Sequence, residues 1–252
     1  MLRGLYTAAT GMTVQRLKMD VLTNNIVNAD TTGFKRDSLI SSSFETVLLE
    51  RLNDPGTVNA VSEVGPYSFG THVDQVVTDL SQGSLESTGK STDLAVSGDG
   101  YFAVETASGE RYTRSGSFTV NAEGYLVTAD GDYVLGNNGA IPVGSSDFSV
   151  DAAGTVTSGG KTIDTLRVVS FQRTEDLRKQ GDSLYYSVSG ETPSNSQDCT
   201  VMQGFRESSN VDIADEMVNM MSVYRAYEAS AKILTMTDET LGLAVNDLGS
   251  LR

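Results

Sequence analysis

One cysteine and one histidine in 252 residues leave little room for metal or nucleophile chemistry. Cys199 has no second thiol for an intrachain disulfide, and His72 has no companion for a histidine cage. A serine triad needs a histidine base, and His72 lies in a polar stretch with no G-x-S-x-G elbow nearby. Basic residues are also scarce: 18 Lys and Arg face 33 Asp and Glu, giving a net charge of −15. That balance opposes the counterion release on which nucleic-acid binding rests, so no nucleic-acid partner is expected. No run of about 18 apolar residues occurs, so no membrane insertion is expected. The first residues lack the basic, apolar and small-residue regions of a cleaved signal peptide. Glycine spacings for a dinucleotide or P-loop site are missing as well, and no cofactor is expected.

Proline is rare and unevenly placed. Pro55, Pro66, Pro142 and Pro193 leave both ends of the chain without a helix breaker. In the first segment Leu5, Met12, Met19 and Ile26 recur every seven residues, with Ala8, Gln15, Leu22 and Ala29 three positions after each. In the last, Ile213, Met220, Tyr227, Leu234, Leu241 and Leu248 keep the same spacing, with Met217, Tyr224, Ala231 and Val245 four residues after members of the row. Sustained heptads of this kind predict a coiled-coil-like pair, with Ser230 on the face away from the seam. Asn210 or Asp212 can cap the second helix, with Asp215 and Glu216 at the positive end of its dipole. Gly33 can supply a left-handed residue where the first helix stops. Residues 1–36 carry a net +3 and residues 204–252 a net −4, a sign difference that favours contact between the ends.

Between about Thr71 and Ser189, short apolar runs alternate with glycine turns, as in 101–104, 124–127, 132–135 and 166–169. Strands at roughly ten-residue spacing predict an antiparallel β-domain. Gly-Asp-Gly at 98–100 and Asp-Gly-Asp at 130–132 could place carboxylates for a secreted hydrolase, with Asp99 and Asp132 as the pair, or for a calcium-dependent adhesin. No EF-hand continuation follows either one, and a tight turn is the plainer reading. The expected class is α+β. Residues 1–33 and 208–252 form a helical assembly domain, 34–70 an extended connector with a short helix near Phe44–Leu52, and 71–207 the β-domain.

Three separated stretches resemble the flagellar hook–basal-body rod family. The first is the run from Asn24 through Asn25, Asn28, Gly33 and Phe34 to Lys35. The second is Gly98-Asp99-Gly100-Tyr101-Phe102 with Tyr112-Thr113-Arg114-Ser115-Gly116 and Gly124-Tyr125-Leu126-Val127. The third is Ser209-Asn210-Val211 with Glu216-Met217-Val218 and Arg225-Ala226-Tyr227-Glu228. Segment Phe44–Gly100 is closer to the distal rod branch than to the proximal one; Asp30, where a small hydroxyl residue is usual, and a short connector depart from the pattern. The resemblance implies a structural, non-enzymatic subunit of the basal-body rod. It also implies a homo-oligomeric helical tube, contact with other rod proteins and hook components, and passage through the flagellar type III export apparatus without a cleaved signal. Its site outside the cytoplasmic membrane follows from the same resemblance.

Overall fold

The computed structural model describes residues 2–51, 62–181, 183–190, 193–195 and 199–249. Two helices, α1 (Leu2–Val27) and α2 (Ile213–Gly249), frame an antiparallel strand-rich middle, so the class is α+β. Contacts group the chain into two compact units: residues 1–26, 37–78 and 212–252, and residues 27–36 with 79–211.

In the first unit α1 and α2 run antiparallel. A Cβ built on Gly11 would meet Ser230 Oγ at 3.9 Å, and Asn25 Nδ2 donates to Glu216 Oε2 at 3.2 Å. Both pairs keep one register, since fourteen residues forward on α1 match fourteen backward on α2. Within residues 34–70, expected as an extended connector, the described strands form a paired ribbon together with 71–78, and residues 52–61 lie outside the described residues. Strand β1 (Asp37–Ser43) pairs with β4 (Thr71–Thr78), and β2 (Val47–Arg51) with β3 (Ser62–Tyr67). Where a helix was expected near Phe44–Leu52, the described residues form a strand over 47–51, Leu52 lying outside them; its β-branched and aliphatic residues find cross-strand partners that an isolated turn of helix would lack. Residues 71–78, expected in the β-domain, group with the helices instead.

The ribbon follows α1. Asn25 holds Asp37 at one end, and Gly70 packs on Thr10 at the other, where a Cβ would overlap the Thr10 hydroxyl. Seven extended residues from Asp37 to Phe44 span about 23 Å, and fifteen helical residues from Asn25 to Thr10 span about 22 Å. The two lengths match, so one strand can be anchored at both ends to one helix.

The second unit is built around β7 (Tyr101–Thr106). Phe102 and Val104 enter one buried cluster, while Tyr101 and Ala103 enter another on the opposite face. Burial on both faces explains why this strand reads as a continuous apolar run. Its neighbours are β8 (Gly109–Thr113) on one side and, on the other, Tyr133–Gly136 and Val168–Ser170. The turns expected at 129–132 and 136–139 fall where expected, between Val127 and Tyr133 and between Gly136 and Gly139. Strands Thr200–Gln203 and Phe205–Glu207 return late in the chain to pair with β6 (Leu94–Ser97) and β5 (Leu85–Ser87).

Tyr112, buried on β8, gives this unit a pH signature. Burial, reinforced by the neighbouring Glu110 carboxylate, pushes its phenol up to about 12. A raised folded-state value means stability that is present below the unfolded value of about 10 and lost as pH rises towards 12. The thermal midpoint of the wild-type chain should fall across this window more steeply than that of Tyr112→Phe. Parallel falls would count against a buried neutral phenol.

Candidate assembly surface

Apolar burial divides sharply between the units. Among the described residues every fully buried apolar side chain except Ala8 and Val14 belongs to the second unit. Among the same described residues every exposed large apolar side chain except Val27 and Val188 belongs to the first. One unit has closed its core, and the other carries its apolar groups on the outside.

On α2 the half-buried positions Met220, Val223, Tyr227, Ser230, Leu234, Thr237, Leu241 and Ala244 alternate spacings of three and four, with the small Ala226 and Ala231 half-buried beside them. The row from Met220 to Leu241 therefore lies on the inner face with Tyr227 and Leu234. Its regular companions sit three residues on; of those expected four residues on, Ala231 is half-buried while Met217, Tyr224 and Val245 are exposed, as is Ile213. Ser230, expected on the opposite face, is on the inner one. The reason is steric, since small Ser, Thr and Ala side chains let α1 approach closely while the bulky Met and Tyr point outward. The side chain of Leu248 lies outside the described residues. On α1, Leu5, Met12, Met19, Leu22 and Ile26 are all half-buried. The shared register puts Val14, which is buried, at the level of Tyr227, and Val21 at that of Met220.

Buried polar clamps hold each unit at its chain entries. In the first, Asn25 Oδ1 accepts from Asp37 N at 3.0 Å, and its amide donates to Asp37 O at 2.8 Å and to the buried Glu216. Asp212 is the N-cap, its carboxylate accepting from Ala214 N at 2.8 Å. Asn210, the other capping candidate, sits in the second unit, where Oδ1 accepts from Arg36 N and Nδ2 donates to Asp79 O.

The second unit's clamp centres on Glu207, which is fully buried. Lys35 Nζ donates to Glu207 Oε1 at 2.5 Å and to Ser81 O, Arg114 Nη1 reaches Oε2 at 3.5 Å, and Gly83 N donates at 2.9 Å. Arg114 also lies over the Tyr101 ring at 4.7 Å, and Lys179 over Phe34 at 4.0 Å. Burial pulls Lys35 below the ordinary lysine value, against the Glu207 carboxylate, which favours its charge. Gly33 has φ +70°, and a Cβ there would overlap the Ser115 backbone; Gly116 would likewise overlap Leu94 O. Thus Gly33, Phe34, Arg114, Gly116 and Asn210, scattered in sequence, belong to one packed region of the second unit. Asn28 follows the end of α1 and accepts from the Thr31 hydroxyl; Gly98 and Gly100 flank the turn into β7. Arg225 and Glu228 are exposed on α2. Sequence reasoning missed Glu207, an isolated acid among strand residues, and read Glu216 only as a first-turn acid at the helix dipole, not as the buried partner of Asn25.

Asp99 is exposed in a turn, and burial with the charge of Asp130 raises Asp132. Among the described residues no group of three His, Cys, Asp or Glu could hold a metal ion, and no helix is long and apolar enough to cross a membrane.

Residues 5–35 match the family model "Flagella basal body rod protein", residues 95–158 "Flagellar hook protein FlgE/F/G D1 domain", and residues 202–247 "Flagellar basal body rod FlgEFG protein C-terminal". The flagellar basal-body rod protein FlgG of Bacillus subtilis is 34% identical over 98% of this chain and 99% of its own length. FlgF of Caulobacter vibrioides is 33% identical over 98% of both. The flagellar hook-basal body complex protein FlhO of Bacillus subtilis is 31% identical over the whole of both chains.

Proposed function

The chain belongs to the flagellar basal-body rod protein family, and from that premise we propose that copies of it polymerise helically through α1, the ribbon and α2. It is a structural subunit of the flagellar basal body rod that assembles with other components of the hook–basal-body complex, and it is not an enzyme. The hydrolase and adhesin readings of Asp99 and Asp132 give way to this family assignment. Passage through the flagellar export apparatus without a cleaved signal, and a distal position in the rod, belong to the same proposal; the segment Phe44–Gly100 supports the latter.

The carrying observation is the split in apolar burial. A unit whose apolar side chains are largely exposed reads as a protein–protein interface. Identical head-to-tail contacts that do not close into a ring propagate as a helix. Electron microscopy of the concentrated, purified chain should show tubes, and a chain that stays monomeric at every concentration would overturn the reading.

Marginal burial in the first unit has a second consequence. Limited proteolysis of the monomer should cut within α1 and α2 before it cuts within 79–211, because local opening costs least where little apolar surface is buried. Equal protection of both units in a verified monomer would contradict this.

A further inference from the structure

The exposed apolar side chains of α2 do not form one stripe. With Met220, Tyr227, Leu234 and Leu241 as heptad position a, and Val223, Ser230, Thr237 and Ala244 as d, Met217 and Tyr224 fall at e and Met221 at b. These share one flank of the inner seam. In the second half of the helix Ile233 falls at g, and Met236 and Leu243 at c, on the other flank. The six are between 50% and 64% exposed. Where one flank is apolar the other is small or polar: Asn219, Ser222 and Ala229 face away from the first patch, and Thr235 and Asp238 from the second. Three exposed side chains stand outside this pattern: Val245 at e, Val218 at f on the outer face, and Ile213 at the head of the inner row.

One neighbouring helix covers one flank. A stripe that changes flank midway needs two neighbours, one along each half. Charge identifies them as copies of this chain. Exposed charges on α2 are mostly acidic, with Asp215, Glu228, Asp238 and Glu239 outnumbering Arg225 and Lys232, whereas α1 exposes Arg3 and Arg16 against Asp20. The outer face of α1 in a second copy is therefore complementary to α2.

We propose that α2 meets two different copies of this chain, one through Met217, Met221 and Tyr224 and another through Ile233, Met236 and Leu243. The proposal rests on the polymerisation reading and refines it: each helix is wedged between two neighbours.

The test uses the full chain and compares Met217→Glu/Tyr224→Glu, Met236→Glu/Leu243→Glu and all four changes together by sedimentation and electron microscopy. Ser222→Glu serves as the control for a charge at an exposed helical position. Each pair should remove long polymers yet leave small oligomers held by the surviving flank. The fourfold variant should be monomeric, and Ser222→Glu should polymerise like the wild type. Helix content by circular dichroism must match the wild type; where it does not, the corresponding glutamine pair replaces the glutamates. If either pair alone gives the monomer, one neighbour covers both flanks and the proposal is overturned. It is equally overturned if a pair leaves polymers intact, or leaves self-association intact but excludes the chain from isolated basal bodies, which would give that flank to another rod component. A wild-type chain that never associates would instead overturn the polymerisation reading beneath it.

Discussion

Glu207→Gln should cost the β-domain about 3–5 kcal/mol, because it leaves Lys35 and Arg114 as two buried cations without a counter-ion. The comparison that isolates this cause is Glu86→Gln. Glu86 pairs with Arg206 at 3.2 Å, but both side chains are about half exposed and screened by solvent, so loss of that surface pair should cost far less. Adding Lys35→Met to Glu207→Gln should recover part of the loss, since removing the second charge is cheaper than stranding it. Thermal or denaturant unfolding followed by a β-domain probe reads all three. A loss for Glu207→Gln no larger than for Glu86→Gln would mean that the cluster is not what fastens the returning strand Phe205–Glu207.

Leu234→Asp should abolish incorporation into the rod. Leu234 lies on the inner face of α2 at the level of Thr7, so an aspartate there loses about 2–5 kcal/mol of apolar burial and adds the desolvation of a charge. Pairing of α1 with α2 then fails in every copy, and the cost recurs at each step of the polymer. The β-domain, with its own core, should unfold at its usual temperature. Ser230→Asp is not a neutral comparison, because Ser230 shares the inner face and sits against Gly11; it should also impair assembly. Ser222→Asp, exposed on α2, should be mild. Counting complete rods in basal bodies from cells carrying each variant decides the matter, and normal rods with Leu234→Asp would place the seam elsewhere.

Helix positions, the strand-rich middle and most turns were legible because each rests on local pattern: heptads for α1 and α2, glycine turns at 129–132 and 136–139. The face of α2 was only half legible. Bulk marked Met217 and Tyr224 as seam residues, but close helix packing selects Val223, Ser230 and Thr237, which a search for large apolar groups passes over. The ribbon was missed because β1 and β4 are partners about thirty residues apart, and neither strand alternates strongly. Glu207 could not be found from its neighbours in sequence, since its role depends on Lys35 and Arg114 arriving from distant segments.

The central claim is that the unit holding α1, the ribbon and α2 is the polymerisation surface. Electron cryomicroscopy of the polymer, at a resolution that separates helices, tests it most directly. Met217, Tyr224, Met236 and Leu243 should be buried against neighbouring copies, while the clusters around Phe102 and Tyr101 stay as they are in the monomer. Copies joined only through residues 79–211, with those four side chains still in solvent, would contradict it.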